Sequence, residues 1–519
     1  MPAALDAMLV SLSRRRLVSA GLATAGSTLA GIASAATASS APAAVRWLNR
    51  ASFGYSQADL AAFNALGGSD NARWNAWITQ QLAPSGINDS ACDARVANAG
   101  FTTLGKTAAQ LWADHHSQEN NYSLRMRPIA EAECMTLIRQ IYSKRQLFEV
   151  LVDFWHDHFS VYGRDYSGGP MFPAFDRDAI RAHALGNFRT LLQASGESAS
   201  MMFMLDQYAS TRAGPNENYA RELCELHTLG AQNYAGILAP DDASLPIGTE
   251  ATPGGGSRSI RLKYVDADVY EATRILTGMT LSGSTWPYDP IGGVALGEYV
   301  FDDAEHDQYP KSFLNSYFPA YQHQQDVEKL YDILAAHPGT AAFVAGKLCR
   351  RLLGDTASAS LIDSAASLFE SQWEAPDQIA QVVGLILRSA EFMDGPGSKV
   401  KRPTVAAVSA LRACAADFTP SPDDNSGWSP SEEFLWSLQA AGHRPFNWPA
   451  PNGYPDNDAA WSSSGTLGMC LRQLPRLLEM RQSYASAGEH FLADIQAQTL
   501  AAFPAAANRT AAQLVDYWC

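Results

Sequence analysis

Apolar residues recur at steps of three and four along most of the chain, a periodicity that predicts amphipathic helices rather than strands. Alternating strand patterns are few, and a short strand at 260–264 paired near Thr280 is expected to form a small hairpin. The predicted fold class is mainly α, an irregular multi-helix domain with small β hairpin decorations and long loops. The predicted helices cover 56–65, 72–82, 110–120, 130–158, 177–195, 216–229, 265–277, 324–336, 340–353, 359–371, 378–389, 404–416, 431–441, 467–485 and 487–503.

Three segments interrupt this helical pattern. Residues 238–258 are rich in Pro, Gly and Ser, which predicts an exposed loop. Residues 417–431 and 445–458 are rich in Pro, Asp and Asn, and they also contain tryptophan and tyrosine. Loops of this length are seldom simple connectors, so we expect the last two to contribute to function.

The first 35 residues have the features of a removable export signal. A basic start at 13–16 (Ser-Arg-Arg-Arg) precedes a short apolar run at 22–32 and an Ala-Ser-Ala cleavage site at 33–35. The paired arginines indicate the twin-arginine route, and an ordinary secretory signal is the alternative. We therefore predict a twin-arginine signal peptide over 1–35 and one large helical domain over 36–519, with 44–235 and 260–519 as its lobes.

Charge and hydropathy limit the partners. The chain carries a net charge of -15, and loss of residues 1–35, with three arginines and one aspartate, brings it to about -17. An acidic protein without a basic stripe repels phosphate backbones, so nucleic acid is excluded as a partner. No segment after the signal is long and apolar enough to span a membrane. The expected location is periplasmic or secreted, and export in the folded state favours a protein that acquires a cofactor before export.

The seven cysteines are scattered and include no Cys-x-x-Cys pair. Their spacing is therefore not that of a zinc ribbon or of a redox motif. An odd number leaves at least one thiol unpaired within the chain. Four of them, Cys134, Cys224, Cys349 and Cys414, lie in apolar helical patterns, where a free thiol packs as a small hydrophobic group.

Several motifs resemble one bacterial family, the domain of unknown function 1800. They are 44–54 (AVRWLNRASFG), 154–161 (FWHDHFSV), 183–188 (HALGNF), 216–230 (NENYARELCELHTLG), and shorter landmarks up to Gly453-Tyr454-Pro455. Asp157 departs from the pattern, in which Asn is commoner. The resemblance implies an exported helical protein, often encoded beside a sulfatase-like partner protein, and the family name records that its biochemistry is not established.

The helix that ends in FWHDHF carries the first candidate site. Glu149, Asp153 and His156 are spaced i, i+4 and i+7, so they project from one face. Asp-x-x-His presents a carboxylate and an imidazole to one metal ion in helix bundles, and mixed N/O ligands suit Zn, Fe or Mn. Alternatively, Glu149 pairs with Arg145 one turn earlier and His156 is a hydrogen-bonded core histidine.

The NENYARELCELHTLG segment carries the second candidate. Glu222 and Glu225 lie three residues apart on a helix that is apolar around much of its circumference. Such a helix is expected to be largely buried, and buried carboxylates need a charged partner or a metal. Arg221 is expected to orient one of these carboxylates, or to form a surface pair with Glu225. His227 is expected to face a different neighbour.

Three interpretations of these residues remain open. Glu149, Asp153, His156, Glu222 and Glu225 could together ligate a divalent metal. They could instead form a buried salt-bridge network with Arg125, Arg139, Arg181 or Arg221, or a metal-free acid/base site. His306, followed by Asp307 and Lys311 in a polar loop, could complete any of the three.

Aromatic residues cluster near the end of the chain. Trp428, Trp436, Trp448, Tyr454 and Trp461 lie in loop-rich sequence beside Asn and Asp side chains. Such a set can hold a sugar ring, and the alternative is that it caps the helical core.

The leading functional hypothesis is a periplasmic enzyme with a buried carboxylate/histidine site, either a metal-dependent hydrolase or an oxidoreductase. His156, Glu222, Glu225, Arg221 and His306 are its candidate catalytic residues, and its substrate would be a polysaccharide or a small molecule. The alternative is a non-catalytic envelope or polysaccharide-binding protein whose buried charges are structural.

Overall fold

The fold is described from a computed structural model that covers residues 42–285, 288–395, 399–422, 429–484, 488–505, 510–511 and 513–514. Within these ranges the chain forms 22 α-helices and only two-stranded sheets, which confirms the predicted mainly α class. The signal segment, Trp428 and Cys519 lie outside the described residues. No helix in the described part of the chain has the length and apolar character needed to cross a membrane.

The helices of the first half are α1 Ala43–Ala51, α2 Gln57–Asn64, α3 Asp70–Gln81, α4 Ser90–Asn98, α5 Ala108–Leu111, α6 Tyr122–Tyr142, α7 Gln146–His158, α8 Phe172–Ala174, α9 Phe188–Gly196, α10 Ala199–Met204, α11 Glu217–Glu222 and α12 Asp266–Ile275. Those of the second half are α13 Gln324–Ala336, α14 Pro338–Leu353, α15 Ala359–Ser371, α16 Gln378–Arg388, α17 Ala390–Asp394, α18 Pro403–Ala413, α19 Pro430–Ala440, α20 Asp458–Trp461, α21 Ser464–Glu479 and α22 Ile495–Ala502.

Three π-helical segments among the described residues extend or replace predicted helices, and they are Trp112–His116, Phe175–Arg181 and Leu223–His227. A π turn bonds residue i to residue i+5, so it changes which side chains share a face. Short 3-10 turns cover Pro84–Gly86, Gly169–Met171, Gln207–Ala209, Ala231–Asn233 and Asp303–Glu305. Two of the π segments carry residues of the candidate sites, and both alter the geometry that a regular helix would give.

Four antiparallel hairpins lie beside the helices in the described part of the chain. They pair β1 Ile247–Thr252 with β2 Gly256–Arg261, β3 Met279–Leu281 with β4 Tyr299–Phe301, β5 Lys311–Phe313 with β6 Ser316–Phe318, and β7 Arg481–Tyr484 with β8 Gly488–Phe491. The expected loop at 238–258 therefore contains a hairpin. Gly254 and Gly255 turn it with φ angles of 78° and 88°, which favour glycine. The strands near 260–264 and Thr280 pair with these neighbours rather than with each other.

The predicted helix over 130–158 is two helices, α6 and α7. Asp89 explains the break, because its carboxylate accepts hydrogen bonds from the Ser143 hydroxyl at 2.7 Å and from the Lys144 backbone N–H at 2.8 Å. These bonds hold the segment between α6 and α7 outside helical geometry. The second helix thus begins at Gln146, and its C-terminal end carries FWHDHF.

The main hydrophobic core of the described residues runs from Ala44 to Ala493 and includes residues from both of the lobes suggested by the sequence. The first helices close against the second half of the chain. The Trp47 indole donates to the Met393 carbonyl at 2.8 Å, and the Trp74 indole donates to the Leu387 carbonyl at 2.9 Å. Trp74 also stacks on Phe392, with ring centroids 5.4 Å apart.

The six cysteines of the described residues are free thiols.

Candidate functional site

Helix α7 presents one face to a narrow cleft. Glu149, Asp153 and His156 all line this cleft, so the expected shared face is confirmed. The cleft is closed on its other side by α6 and by the loop that contains Phe446 and Trp448. It has room of about 20 Å³, enough for about one water molecule.

The imidazole of His156 belongs to a chain of buried charges. His156 Nε2 lies 2.8 Å from Asp176 Oδ1, and Arg181 Nε donates to Asp176 Oδ2 at 2.8 Å. Arg181 Nη1 then donates to Glu149 Oε2 at 2.9 Å. Glu149 therefore pairs with Arg181, one of the counter-charges considered from the sequence. Arg145 donates instead to the Ile87 carbonyl.

The electrostatics of this network fix the tautomer of His156. Burial alone would raise the pKa of Asp176, but Arg181 and His156 outweigh it and lower that pKa to about 2. An ionised carboxylate only accepts hydrogen bonds, so His156 Nε2 carries the proton. Nδ1 makes no hydrogen bond with the described residues. It is also not among the side-chain nitrogen and oxygen atoms that are fully buried without a partner. Nδ1 is therefore the nitrogen that can accept a proton from a molecule in the cleft.

Burial raises the pKa of two further carboxylates, Glu149 and Asp157, although an arginine opposes the rise at each. Burial raises the pKa of Glu149 more than Arg181 lowers it. Burial also raises the pKa of Asp157 to about 6, against the opposing charge of Arg402. The charge of Asp153, one turn earlier on α7, adds to that rise.

Two arginines bind carboxylates of α7, among them Asp153, a candidate metal ligand. Arg351 Nη2 and Arg402 Nη2 lie 2.5 and 3.0 Å from Asp153 Oδ2, and Arg402 Nη1 also contacts Asp157. A guanidinium bound to each carboxylate opposes a divalent cation at the same oxygens. Within the described ranges, no group of three or more His, Cys, Asp or Glu residues is arranged to hold a metal ion. The donor set of this cleft therefore does not fit a metal centre.

Three unsatisfied polar atoms converge on the cleft. Thr136 Oγ1, Gln140 Oε1 and His443 Nε2 are buried without a hydrogen-bond partner, and all three residues line it. Buried polar atoms are almost always paired, so each orphan needs an explanation. The His443 imidazole donates from Nδ1 to Thr404 Oγ1 at 2.8 Å, because the Thr404 hydroxyl itself donates to the His443 carbonyl. These three atoms therefore leave unmet hydrogen-bonding capacity in the wall of the cleft.

Close packing holds the loop over the cleft. Gly453 has φ +70°, and a Cβ at this position would lie 2.0 Å from the Asp157 carbonyl oxygen. Only glycine permits this approach. The Phe446 carbonyl accepts a hydrogen bond from the Gly163 N–H at 2.8 Å, and the Phe446 ring lies 4.6 Å from the ring of His156. The loop at 445–458 is thus fixed against the end of α7.

Glu222 and Glu225 are half-buried, not buried as the apolar circumference of their helix predicts. The physical reason is the π segment at Leu223–His227, which turns Leu223, Cys224 and His227 inward in place of the carboxylates. Arg221 pairs with Glu217 and Asp266 rather than with Glu225. In the described structure, no hydrogen bond or ion pair connects these residues to His156.

His227 contacts the FWHDHF helix instead. Its backbone carbonyl lies 3.0 Å from His158 Nε2, and the two imidazole rings are 6.4 Å apart. Burial lowers the pKa of both imidazoles, and the charge of Lys347 on α14 adds to this lowering. Burial also lowers the pKa of Lys347 itself to about 8. Burial lowers the pKa of His227 to about 3, so this imidazole is neutral.

His306 lies in a separate buried network. Its Nδ1 is 2.7 Å from the Thr277 carbonyl, and its Nε2 is 3.3 Å from Asp326 Oδ2. Lys311 Nζ donates to the same Asp326 oxygen at 2.8 Å. Both ring nitrogens therefore contact oxygen atoms of the protein, and neither is directed at a cleft.

The tail aromatics divide between core and cleft. Tyr454 and Trp461 are buried and pack around His443, with ring centroids 4.4 and 5.2 Å from it, as a core cap would. Trp448 is partly exposed and lines the cleft, 5.0 Å from the Tyr454 ring, and its indole donates to Asn452 Oδ1 at 2.8 Å. Trp436 is exposed.

Asp176, His443 and Arg402 were not found from the sequence as site residues. Asp176 and Arg181 lie five residues apart, a spacing that shares a face only in a π turn. His443 and Arg402 reach the cleft from distant segments, and no local spacing marks them. The sequence offers one signal for Arg402, which is its charge. An arginine next to an apolar helix needs a carboxylate partner when it is buried.

Fold and site together define a mainly α protein with a buried His–Asp–Arg–Glu network at the end of a cleft. The model of the family "Protein of unknown function (DUF1800)" matches residues 46–517. The chain belongs to this family. No curated protein and no solved structure matches the chain.

Proposed function

We propose that this protein is an exported enzyme, carried to the periplasm or beyond by the twin-arginine route, that hydrolyses its substrate with His156 as general base. The observation that carries the proposal is the orientation of His156. Its Nε2 is committed to Asp176, while its Nδ1 is open to a cleft with room for about one water. A histidine held in this way is the usual arrangement for accepting a proton at neutral pH.

The proposed reaction needs one proton acceptor that returns its proton. His156 Nδ1 takes a proton from a water molecule in the cleft as the water oxygen forms a bond to the substrate. The bond from the substrate to its leaving group then breaks, and the imidazolium gives the proton to that group. Asp176 is a positioning residue, which holds the ring and stabilises the imidazolium. Arg181 keeps Asp176 ionised.

The chemistry of the cleft wall limits the substrate. Trp448 offers a partly exposed aromatic face beside the Asn452 amide, whereas the unsatisfied atoms of Thr136, Gln140 and His443 are buried. Polar groups beside an aromatic face suit a ring that carries hydroxyl groups. The cleft itself has room for about one water, so we expect the substrate, a polysaccharide or a small polar ring compound, to bind against Trp448 at the mouth of the cleft.

A panel of chromogenic substrates tests the proposal. Mature protein is assayed with 4-nitrophenyl esters, glycosides, phosphate and sulfate, beside His156→Gln and the matched control His323→Gln. His323 is exposed and far along the chain from the cleft. We expect one substrate class to be hydrolysed, with kcat/KM lowered roughly 100- to 10,000-fold by His156→Gln and unchanged by His323→Gln. Absence of hydrolysis for every class, or full activity of His156→Gln, contradicts the proposal.

A second candidate function is non-catalytic binding of envelope polysaccharide. The partly exposed Trp448, with its indole fixed to Asn452, is the observation that favours it. Trp448→Ala is expected to weaken retention on immobilised polysaccharide severalfold without a change in melting temperature. The exposed Trp436 provides the control variant Trp436→Ala. Equal retention of both variants and wild type rules out this role for Trp448.

A further inference from the structure

A second and larger cavity lies beside the cleft. Its volume is about 610 Å³, within the range of small-molecule sites. Helix α1, the end of α14 and the start of α18 form its walls. Arg351 and Arg402 belong to both regions, because they line this cavity and contact the carboxylates of α7.

The lining of this cavity is strongly cationic. Asp394 is the only carboxylate among the described residues that line it, and it is exposed. Six cationic residues line the same cavity, and they are Arg46, Arg50, Arg351, Lys399, Lys401 and Arg402. The chain as a whole has a net charge of -15, so this concentration of positive charge is a local feature of the cavity. Like charges placed together destabilise a fold unless an anion offsets them.

Three of the six cations already have a carboxylate partner. Arg351 and Arg402 are bound to Asp153, and Lys399 lies 2.7 Å from Asp456. In each pair the carboxylate offsets part of the positive charge, which weakens the attraction of that cation for an anionic ligand.

Arg50 and Lys401 have no carboxylate partner in the described structure. Lys401 Nζ donates to Asn49 Oδ1 at 3.2 Å and to Ser409 Oγ at 2.6 Å, both neutral acceptors. Arg50 donates to the Phe392 carbonyl, its guanidinium lies 4.1 Å from the Phe392 ring centroid, and its Nε is buried without a partner. Burial lowers the pKa of Lys401 to about 8 and that of Arg50 to about 10, and neighbouring arginines add to both shifts.

We propose that this cavity is a binding site for a small organic anion, whose phosphate, sulfate or carboxylate group is bound by Arg50 and Lys401. Charged donors in a partly enclosed site bind such groups well. The remainder of the ligand contacts the apolar side chains of Val45, Phe53, Val150 and Val405, which line the same cavity. The inference is independent of the reaction at His156.

Isothermal titration calorimetry of the mature protein tests this site. The probes are glucose 6-phosphate, glucose 6-sulfate and glucuronate, with glucose as the neutral control. We expect at least one anionic probe to bind, glucose not to bind, and high salt to weaken the binding. The three anions distinguish the phosphate, sulfate and carboxylate sources of the charge. Binding of none of them, or equal binding of glucose, overturns the proposal.

Variants locate the binding. Lys401→Gln is expected to weaken the anionic probe about tenfold or more, and Arg50→Gln similarly, because each removes a charged donor. Lys401→Arg keeps the charge and is expected to retain most of the affinity, even if Lys401→Gln loses stability. Arg472→Gln removes an exposed cation elsewhere and serves as the control for net charge. Undiminished binding by Lys401→Gln and Arg50→Gln, or an equal loss in Arg472→Gln, assigns the probe to another surface and overturns the proposal.

Discussion

Two networks among the described residues each join a histidine, an aspartate and a cation, and they differ in the surroundings of the imidazole. His156 meets Asp176 and Arg181 beside a cleft, whereas His306 meets Asp326 and Lys311 in the interior. His306 faces acceptors at both nitrogens and is fully buried.

The difference lies in what surrounds each imidazole. Around His156, Nδ1 remains open and three neighbouring polar atoms lack partners. Around His306, the carbonyl of Thr277 and the carboxylate of Asp326 use both nitrogens. A histidine becomes a candidate base through the nitrogen that its partners leave free, and residue identity alone does not distinguish the two networks.

The largest effect is expected from removal of the carboxylate of the interior network. Asp326→Ala leaves Lys311 buried without a counter-charge, which is expected to cost about 3–5 kcal/mol of unfolding free energy. Asp176→Ala is expected to cost less, because Arg181 keeps Glu149 as a partner. Urea unfolding of both variants measures the difference. An equal or larger loss in Asp176→Ala would mean that the two networks are equally structural.

A smaller effect is expected at the loop that covers the cleft. Gly453→Ala combines a strained φ of +70° with a clash against the Asp157 carbonyl oxygen, and we expect a cost of about 3 kcal/mol. Gly442→Ala has a similar φ of +84° and no atom within 4 Å, so it isolates the backbone strain, about 1 kcal/mol. Thermal unfolding compares them. Equal losses would show that the loop does not need its close approach to α7.

A third effect depends on pH. Burial lowers the pKa of His443 to about 3 from an ordinary value of 6.5, so the unfolded chain takes up this proton first as the pH falls. The contribution is fully present above pH 6.5 and decreases on acidification toward pH 3, by about 2 kcal/mol at pH 5.

His443→Gln is expected to flatten this part of the stability curve, while the exposed control His323→Gln is not. Urea unfolding at a series of pH values between 7 and 4 measures the slope. Identical slopes for wild type and His443→Gln would show that His443 takes up its proton equally in the folded and unfolded states.

The sequence predicts the parts of the site that depend on regular helical spacing. Glu149, Asp153 and His156 share a face because α7 is an uninterrupted α-helix where they lie. The helix limits at 324–336 and 359–371 match the structure for the same reason. The prediction that Glu222 and Glu225 are buried is wrong, because a π turn interrupts their helix. A 3.6-residue period does not contain that information.

Other parts of the site depend on contacts between distant segments. Asp89 breaks the predicted helix at Ser143, and Arg402 reaches α7 from more than 240 residues away in the chain. Such contacts form only when the whole core assembles, so local patterns cannot reveal them. Gly453 is an intermediate case, since its motif marks the position and only the structure gives the reason.

The most direct test of the account is hydrogen–deuterium exchange at the imidazole C2 position, followed by mass spectrometry across a pH series. This exchange requires solvent to reach the ring, and its pH dependence reports the titration of each histidine. We predict that the C2 proton of His156 exchanges on the measured time scale, while that of His306 stays protected. Protection of His156 equal to that of His306 would contradict the assignment of His156 as the accessible base.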